Sequence, residues 1–249
     1  MPTGITWTDE TWNPVSGCTP ISEGCANCYA AVMAKRLQAS GKGGYEHGFE
    51  PTAHPDKMLL PKRWRKPRRV FVVSMGDLFH EMVPDYAIRG IWSVMIAQSR
   101  HTYFVLTKRP ERMREFILRQ EGDVYRHWDH IWLGVTAENQ ARADERIPIL
   151  LDTPAVHRFV SVEPMLGRVD LTDHFSVVNM QVGDGRLEWI ICGGESGPGH
   201  RTMEAEWARS MREQCLLYGV PFHFKQYSGH RPEKCPELDG VRHTATPPF

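Results

Sequence analysis

No stretch of the 249 residues approaches the roughly 20 consecutive apolar residues needed to cross a bilayer, so no membrane partner is expected. Charge of one sign is also lacking. The 30 Lys and Arg are matched by 30 Asp and Glu, so the molecule as a whole attracts neither polyanions nor polycations, and a charged partner must use a local patch. The opening residues, Met1 to Trp7, carry neither a basic n-region nor an apolar h-region, which leads us to expect the reducing cytoplasm. Internal repeats and low-complexity segments are missing, as are the G-x-G-x-x-G and G-x4-G-K-S/T signatures of nucleotide folds. Cysteine is sparse, six in all, but three of the six lie within eleven residues. In a reducing compartment such clustering points to metal binding rather than to disulfides.

What is present is a set of short apolar runs, at 70–74, 103–107, 131–136, 158–162, 189–193 and 221–225. Near-continuous runs of this length suit strands buried on both faces, as in parallel sheets. Between them lie helical periodicities. Residues 86–99 place Ile88, Ile91, Trp92 and Met95 on one face, and 110–119 open with Pro110 and carry Met113, Phe116 and Ile117. Similar patterns occupy 140–151 and 204–218, whereas 166–188 reads as loop with a short helix. The alternation predicts an α/β fold, a partial or full (β/α) TIM-like barrel, with 1–249 as one barrel domain. Within it, 1–69 carry the cysteine loop and a basic linker, and 228–249 form a C-terminal tail.

Polar residues or glycine follow nearly every run: Ser74, Gly76 and Asp77; Thr107, Lys108 and Arg109; Thr136 and Glu138; Ser161 and Glu163; Gly193, Gly194 and Glu195; Lys225 and Gln226. In a (β/α) barrel these positions converge on the C-terminal mouth, where active sites sit. The plainer reading is that strand ends are solvated or capped. Asp77 suits a helix N-cap, and Lys225 a partner for Glu195. Gly193 and Gly194 suggest backbone room beside a ligand.

The cysteine segment has Cys18, Cys25 and Cys28 in the spacing C-x6-C-x2-C. Gly17 and Gly24 permit turns, Pro14 and Pro20 stiffen the loop, and 29–38 reads as a helix that starts directly after Cys28. Three soft ligands suit either zinc or an iron–sulfur cluster. Structural zinc wants a fourth ligand, for which His47 or His54 would serve. A four-iron cluster on three cysteines leaves one iron open. Cys192 and Cys215 read as core residues, and Cys235 lies in the tail. Farther on, Lys62, Arg63, Arg65, Lys66, Arg68 and Arg69 surround Trp64, a basic-aromatic segment that suits a nucleic acid or nucleotide but also reads as a solvated linker.

Thr11-Trp12-Asn13-Pro14 with the cysteine loop, the run from Gly193 to Gly199, and the phrase from Val220 to Gln226 together resemble a phage-associated family named for a three-cysteine motif. That family is in turn similar to the radical S-adenosylmethionine (SAM) superfamily. The resemblance implies a 4Fe–4S cluster on Cys18, Cys25 and Cys28, SAM chelated at the open iron, and reductive cleavage that starts radical chemistry on an unknown substrate. It places Ser74, Gly76 and Asp77 beside the SAM amino group. It makes Thr107, Lys108, Glu138, Glu163 and Glu195 candidates for the remaining SAM contacts. It also implies an electron donor, a separately encoded protein partner and a bacterial or phage-infected host. The competing expectation is a zinc- or cluster-stabilised nucleic-acid-binding module without catalysis.

Overall fold

The β-branched and aromatic runs form parallel strands, and the periodic segments between them form helices. The computed structural model describes residues 4–120, 127–175 and 186–246. The chain divides into two units, Met1–Thr107 and Lys108–Phe249.

In the first unit the strands are β1 (Glu10–Trp12), β2 (Val15–Ser16), β3 (Thr52–Ala53), β4 (Arg69–Val72) and β5 (Thr102–Thr107). The helices are α1 (Tyr29–Ala39) and α2 (Asp85–Ala97). Strands β1, β4 and β5 lie side by side in that order, all parallel, while β2 and β3 form a small antiparallel pair. Strand β1 has no apolar run to announce it. It exists because its backbone pairs with β4, Glu10 opposite Val70 and Trp12 opposite Val72. The Trp12 ring is completely buried and its indole N–H donates to the Lys57 carbonyl at 2.8 Å. Helix α2 buries Ile88, Ile91, Trp92 and Met95, the face its periodicity marks. Full burial of each such side chain contributes about 1.5–3 kcal/mol.

The second unit contains α3 (Pro110–Leu118), β6 (Ile131–Thr136), α4 (Gln140–Leu151), β7 (His157–Val162) and α5 (Thr172–Phe175). It continues with β8 (Trp189–Gly193), α6 (Ala205–Leu217), β9 (Phe222–Gln226) and the hairpin β10 (Glu237–Leu238) and β11 (Val241–Arg242). Strands β6 to β9 are parallel neighbours in chain order. Every residue of β6 and of β8 is buried, as continuous apolar runs require in a two-sided layer. Sequential order without reversal is the βα arrangement of a (β/α) barrel rather than of a doubly wound sheet. Of the segment 166–188, a single-turn helix is seen, and 176–185 lie outside the described residues. The last segment is docked rather than loose. Phe224 N–H donates to the His243 carbonyl at 2.8 Å, the Trp189 indole N–H to Ala245 at 3.0 Å, and Leu238 is fully buried. Among the described residues no helix is long and apolar enough to cross a membrane.

Gly134 shows how tightly the strands β6 and β7 are packed. A Cβ added there would lie 2.5 Å from the ring of Phe159, its register partner on β7. Gly134→Ala is expected to destabilise the fold by about 1–3 kcal/mol in urea titration, because the buried ring must move. An unchanged midpoint would contradict this packing.

Candidate functional site

The N-terminal loop is fastened to the C-terminal end of β4. Gly17 N–H donates to the Met75 carbonyl at 2.8 Å, and Gly17 and Gly76 form an isolated parallel bridge. A Cβ on Gly76 would stand 2.7 Å from the Gly17 carbonyl oxygen, and one on Gly17 2.2 Å from the Glu50 oxygen. Gly17 also has φ +90°, a conformation that favours glycine. Around this contact, Asn13 Oδ1 accepts from the Ser74 hydroxyl at 3.2 Å and from Met75 N–H at 3.0 Å. The Tyr29 hydroxyl donates to the Ser74 carbonyl. Val73 takes φ +58°, unusual for a β-branched residue, while its N–H reaches the Trp12 carbonyl at 2.8 Å. Strain of this kind, about 1–3 kcal/mol, persists where surrounding bonds over-determine the backbone.

Cys18 follows Gly17 directly, its N–H bonded to the Phe49 carbonyl at 3.0 Å. Cys25 ends a 3-10 turn, Glu23–Cys25, and Cys28 occupies the N-cap position of α1. The N–H groups of a first helical turn favour an anionic ligand at this end. Cys28 also leans on the small core formed by Ala30, Ala34, Tyr45 and Met75. All three thiols are half-buried and none is in a disulfide, whereas Cys192, Cys215 and Cys235 are buried. Burial pushes the Cys215 thiol up to about 12 and Cys192 well above its ordinary value, so both are inert core groups.

As a donor set, three soft thiols in one loop fit a thiophilic metal group. Their sulfurs do not converge on one point. Cys18 Sγ points to the Thr19 carbonyl at 3.4 Å and Cys25 Sγ to the Ser22 hydroxyl at 3.7 Å. Among the described residues no three His, Cys, Asp or Glu side chains stand together around one metal position. His54, a candidate fourth ligand for zinc, instead has Nε2 bonded to the Ser16 hydroxyl at 2.7 Å, and burial holds its ring below the usual histidine range. His47 is exposed. Cys235 lies 3.6 Å from His223 Nε2. His80 is a neighbour of the cysteine loop that the sequence did not suggest. Fully buried, it accepts Met82 N–H on Nδ1 at 3.1 Å, which leaves Nε2 to donate to the Thr19 hydroxyl at 2.8 Å, next to Cys18.

Ser74, Gly76, Asp77 and Thr107 therefore share the first unit with the cysteines. Ser74 and Gly76 serve the loop contact just described. Asp77 is not an α-helix N-cap. Its buried carboxylate accepts Phe79 N–H at 2.9 Å and the Thr107 hydroxyl at 2.7 Å, so it is aimed by β5 and by its own turn.

Lys108, Glu138, Glu163 and Glu195 belong to the second unit. Glu138 is completely buried and bonded to Arg146 Nη1 at 2.8 Å, with Lys108 Nζ at 4.0 Å. The signal for this pair was in the sequence: Arg146 sits on the same α4 face as Ala143, Ile147 and Leu150, where a charge requires a buried partner. Glu163 accepts from the Ser161 hydroxyl at 3.0 Å and pairs with Lys225 at 3.1 Å, so Lys225 is not the partner of Glu195. Glu195 is instead forked by Arg201, at 2.7 and 3.1 Å, and also accepts the Arg201 N–H at 2.8 Å. The space at Gly193 and Gly194 is filled by protein. An added Cβ would meet Glu163 Oε1 at 2.7 Å in the first case and Ser228 N at 2.3 Å in the second.

The basic segment divides in two. Arg68 pairs with Glu10 at 2.6 Å, and Arg69 with Asp9 at 3.0 Å, closing the N-terminal ends of β1 and β4. The Asp9 carboxyl is held below its usual range by the Arg69 hydrogen bond. Trp64 packs edge-on against His101 at 5.6 Å, with Arg68 over its ring. Lys62, Arg63, Arg65 and Lys66 are exposed.

Two outcomes follow from these contacts. Gly17→Ala is expected to cost about 2–4 kcal/mol, from the left-handed backbone and the contact with Glu50 together, and Gly76→Ala about 1–3. A thermal midpoint that either change leaves in place would refute the close approach. Glu138→Gln strands Arg146 and is expected to cost about 3–5 kcal/mol, much of it recovered when Arg146 is also replaced by Met. Equal instability of the single and double variants would show that the pair is not coupled.

Comparison with known proteins adds the following. A solved structure of a double mutant of spore photoproduct lyase, with bound AdoMet and dinucleoside spore photoproduct, is similar at a TM-score of 0.44 and 11% identity. The alignment covers 81% of this chain and 59% of that one, so the chain spans about three-fifths of that protein's length. No curated protein sequence matches. The family model described as "Protein of unknown function (DUF5131)" matches residues 2–246. With nearly its whole length matched, the chain belongs to the DUF5131 family.

Proposed function

We propose that this protein is a radical SAM-type enzyme whose Cys18, Cys25 and Cys28 hold a 4Fe–4S cluster. One observation carries the reading: three half-buried thiols, none in a disulfide, occupy a single loop whose root is fixed by backbone contact to the C-terminal end of parallel strands. Active sites of βα folds lie at that end. When bound, such a cluster with an open iron supplies the electron that cleaves the SAM sulfonium.

The chain's own groups supply positioning. Gly17 and Gly76 fix where the loop leaves the sheet. Cys28 stands at the α1 N-terminus, where the helix dipole favours the anionic thiolate. Asp77, aimed by Phe79 N–H and the Thr107 hydroxyl, accepts the SAM ammonium group, a charge-assisted bond. Lys108, Glu138, Glu163 and Glu195, all of the second unit, are candidate SAM contacts by the resemblance alone, and Glu138 and Glu195 are each already bonded to an arginine. The substrate stays unassigned, with a nucleotide or nucleic acid as the class that the basic segment 62–69 suits. The reading also calls for an electron donor, a separately encoded protein partner, and a cytoplasmic setting in a bacterium or phage-infected host.

A second reading, a zinc- or cluster-stabilised nucleic-acid-binding module without catalysis, is favoured by the exposed cations at 62–66. The two are separated by anaerobic reconstitution with iron and sulfide, followed by SAM and dithionite and assay of 5′-deoxyadenosine. The product is expected from the native chain. It should disappear in Cys18→Ala, Cys25→Ala and Cys28→Ala, and fall at least about tenfold in Asp77→Asn, the loss of one charge-assisted bond. An intact cluster that leaves SAM uncleaved would refute the enzyme reading.

A further inference from the structure

We propose that Lys62, Arg63, Arg65 and Lys66 form a binding surface for the phosphate backbone of a nucleic acid, at the end of the β1–β4–β5 sheet remote from the cysteine loop. The sequence presents six cations in eight residues as one patch, and the structure separates their tasks. Arg68 and Arg69 are consumed by Glu10 and Asp9. The four that precede them are exposed, and no carboxylate among the described residues pairs with any of them. Arg100, exposed just before β5, adds to the same end, because Thr102 N–H bonds to the Arg68 carbonyl at 2.9 Å. Burial above all, with smaller contributions from Arg100 and Arg68, holds His101 below the usual histidine range.

The segment has a fixed shape. Leu60–Arg63 is a 3-10 turn, Trp64 is extended, and the Trp64 ring is wedged between His101 and Arg68. The cations are therefore mounted on a pinned backbone, and two of the four are guanidinium forks suited to phosphate oxygens. The Trp64 ring is half-buried against His101 and Arg68, and the exposed groups are cations, so recognition runs through phosphate without sequence preference. Anionic lipid is the competing partner, since stable membrane binding adds an inserted apolar group to the cations; the Trp64 ring is half-buried against His101 and Arg68. The cysteine loop is fastened beyond Val72 and the cations precede Arg69, so the length of β4, on the order of 13 Å, lies between them. The surface is an anchoring site rather than part of the cysteine-bearing end.

The test is fluorescence anisotropy of a labelled single-stranded oligonucleotide against the full chain across a salt series. Four phosphate contacts predict an affinity that falls about 50-fold between about 50 and about 200 mM salt. The K62E/R63E/R65E/K66E variant is expected to bind at least about tenfold more weakly with a flattened salt dependence, while its melting temperature is retained. Should it fail to fold, K62Q/R63Q and R65Q/K66Q, each neutralising half the patch, are expected to lose part of the affinity and part of the slope. The chain before and after reconstitution with iron and sulfide is expected to bind the oligonucleotide equally, which keeps this inference separate from the cluster reading. Absence of binding, unchanged affinity and slope in the neutralised variants, binding that appears only after reconstitution, or uptake by phosphatidylserine vesicles without oligonucleotide binding would each overturn it.

Discussion

Two backbones, at Gly17 and Gly76, approach so closely that a side chain on Gly76 would strike the Gly17 backbone, and the arrangement of the N-terminal loop depends on that approach. The contact joins the first residues after β2 to the turn after β4. It fixes Cys18 one residue from the sheet, where its N–H is taken by Phe49. Other groups crowd the same point: Asn13 and Tyr29 on the Ser74 to Met75 backbone, His80 on Thr19, and Val73 in a left-handed conformation. Each bond contributes only about 1 kcal/mol net. Together they decide where the loop begins without dictating where its sulfurs point.

The root of the loop is held by many bonds, and its thiols by few of those described. Cys18 and Cys25 make weak sulfur contacts with Thr19 and Ser22, interactions that a metal–thiolate bond readily replaces. In the second unit the polar strand ends behave differently. Glu138, Glu163 and Glu195 are each matched to a cation, Arg146, Lys225 and Arg201 respectively. The carboxylates at these strand ends hold their own neighbourhood together before any ligand is considered.

The long elements were legible because their patterns are local. Six apolar runs became six strands, and Pro110 stands at the start of α3 as a first-turn proline. Strand β1 was not legible, because Glu10–Trp12 acquires its conformation from β4 rather than from its own composition. The same holds for the site. Composition marked the three cysteines, and spacing alone showed nothing of His80 beneath Thr19 or of Asn13 on the Ser74 turn, which are long-range contacts. The paired glycines at 193 and 194 illustrate the opposite error. Glycine reports that something approaches the backbone, and here it is Glu163 and Ser228 rather than a ligand. The basic segment read as one patch because sequence shows cations and not the carboxylates at and beside β1 that take two of them.

We propose that the loop after β2 holds an iron–sulfur cluster on Cys18, Cys25 and Cys28. Metal and acid-labile sulfide analysis of the anaerobically purified protein addresses it most directly. Iron and sulfide are expected in about equal amounts, close to four of each per chain, and both are expected to be lost when the three cysteines are replaced. Stoichiometric zinc without sulfide, or iron retained after all three cysteines are removed, would contradict it.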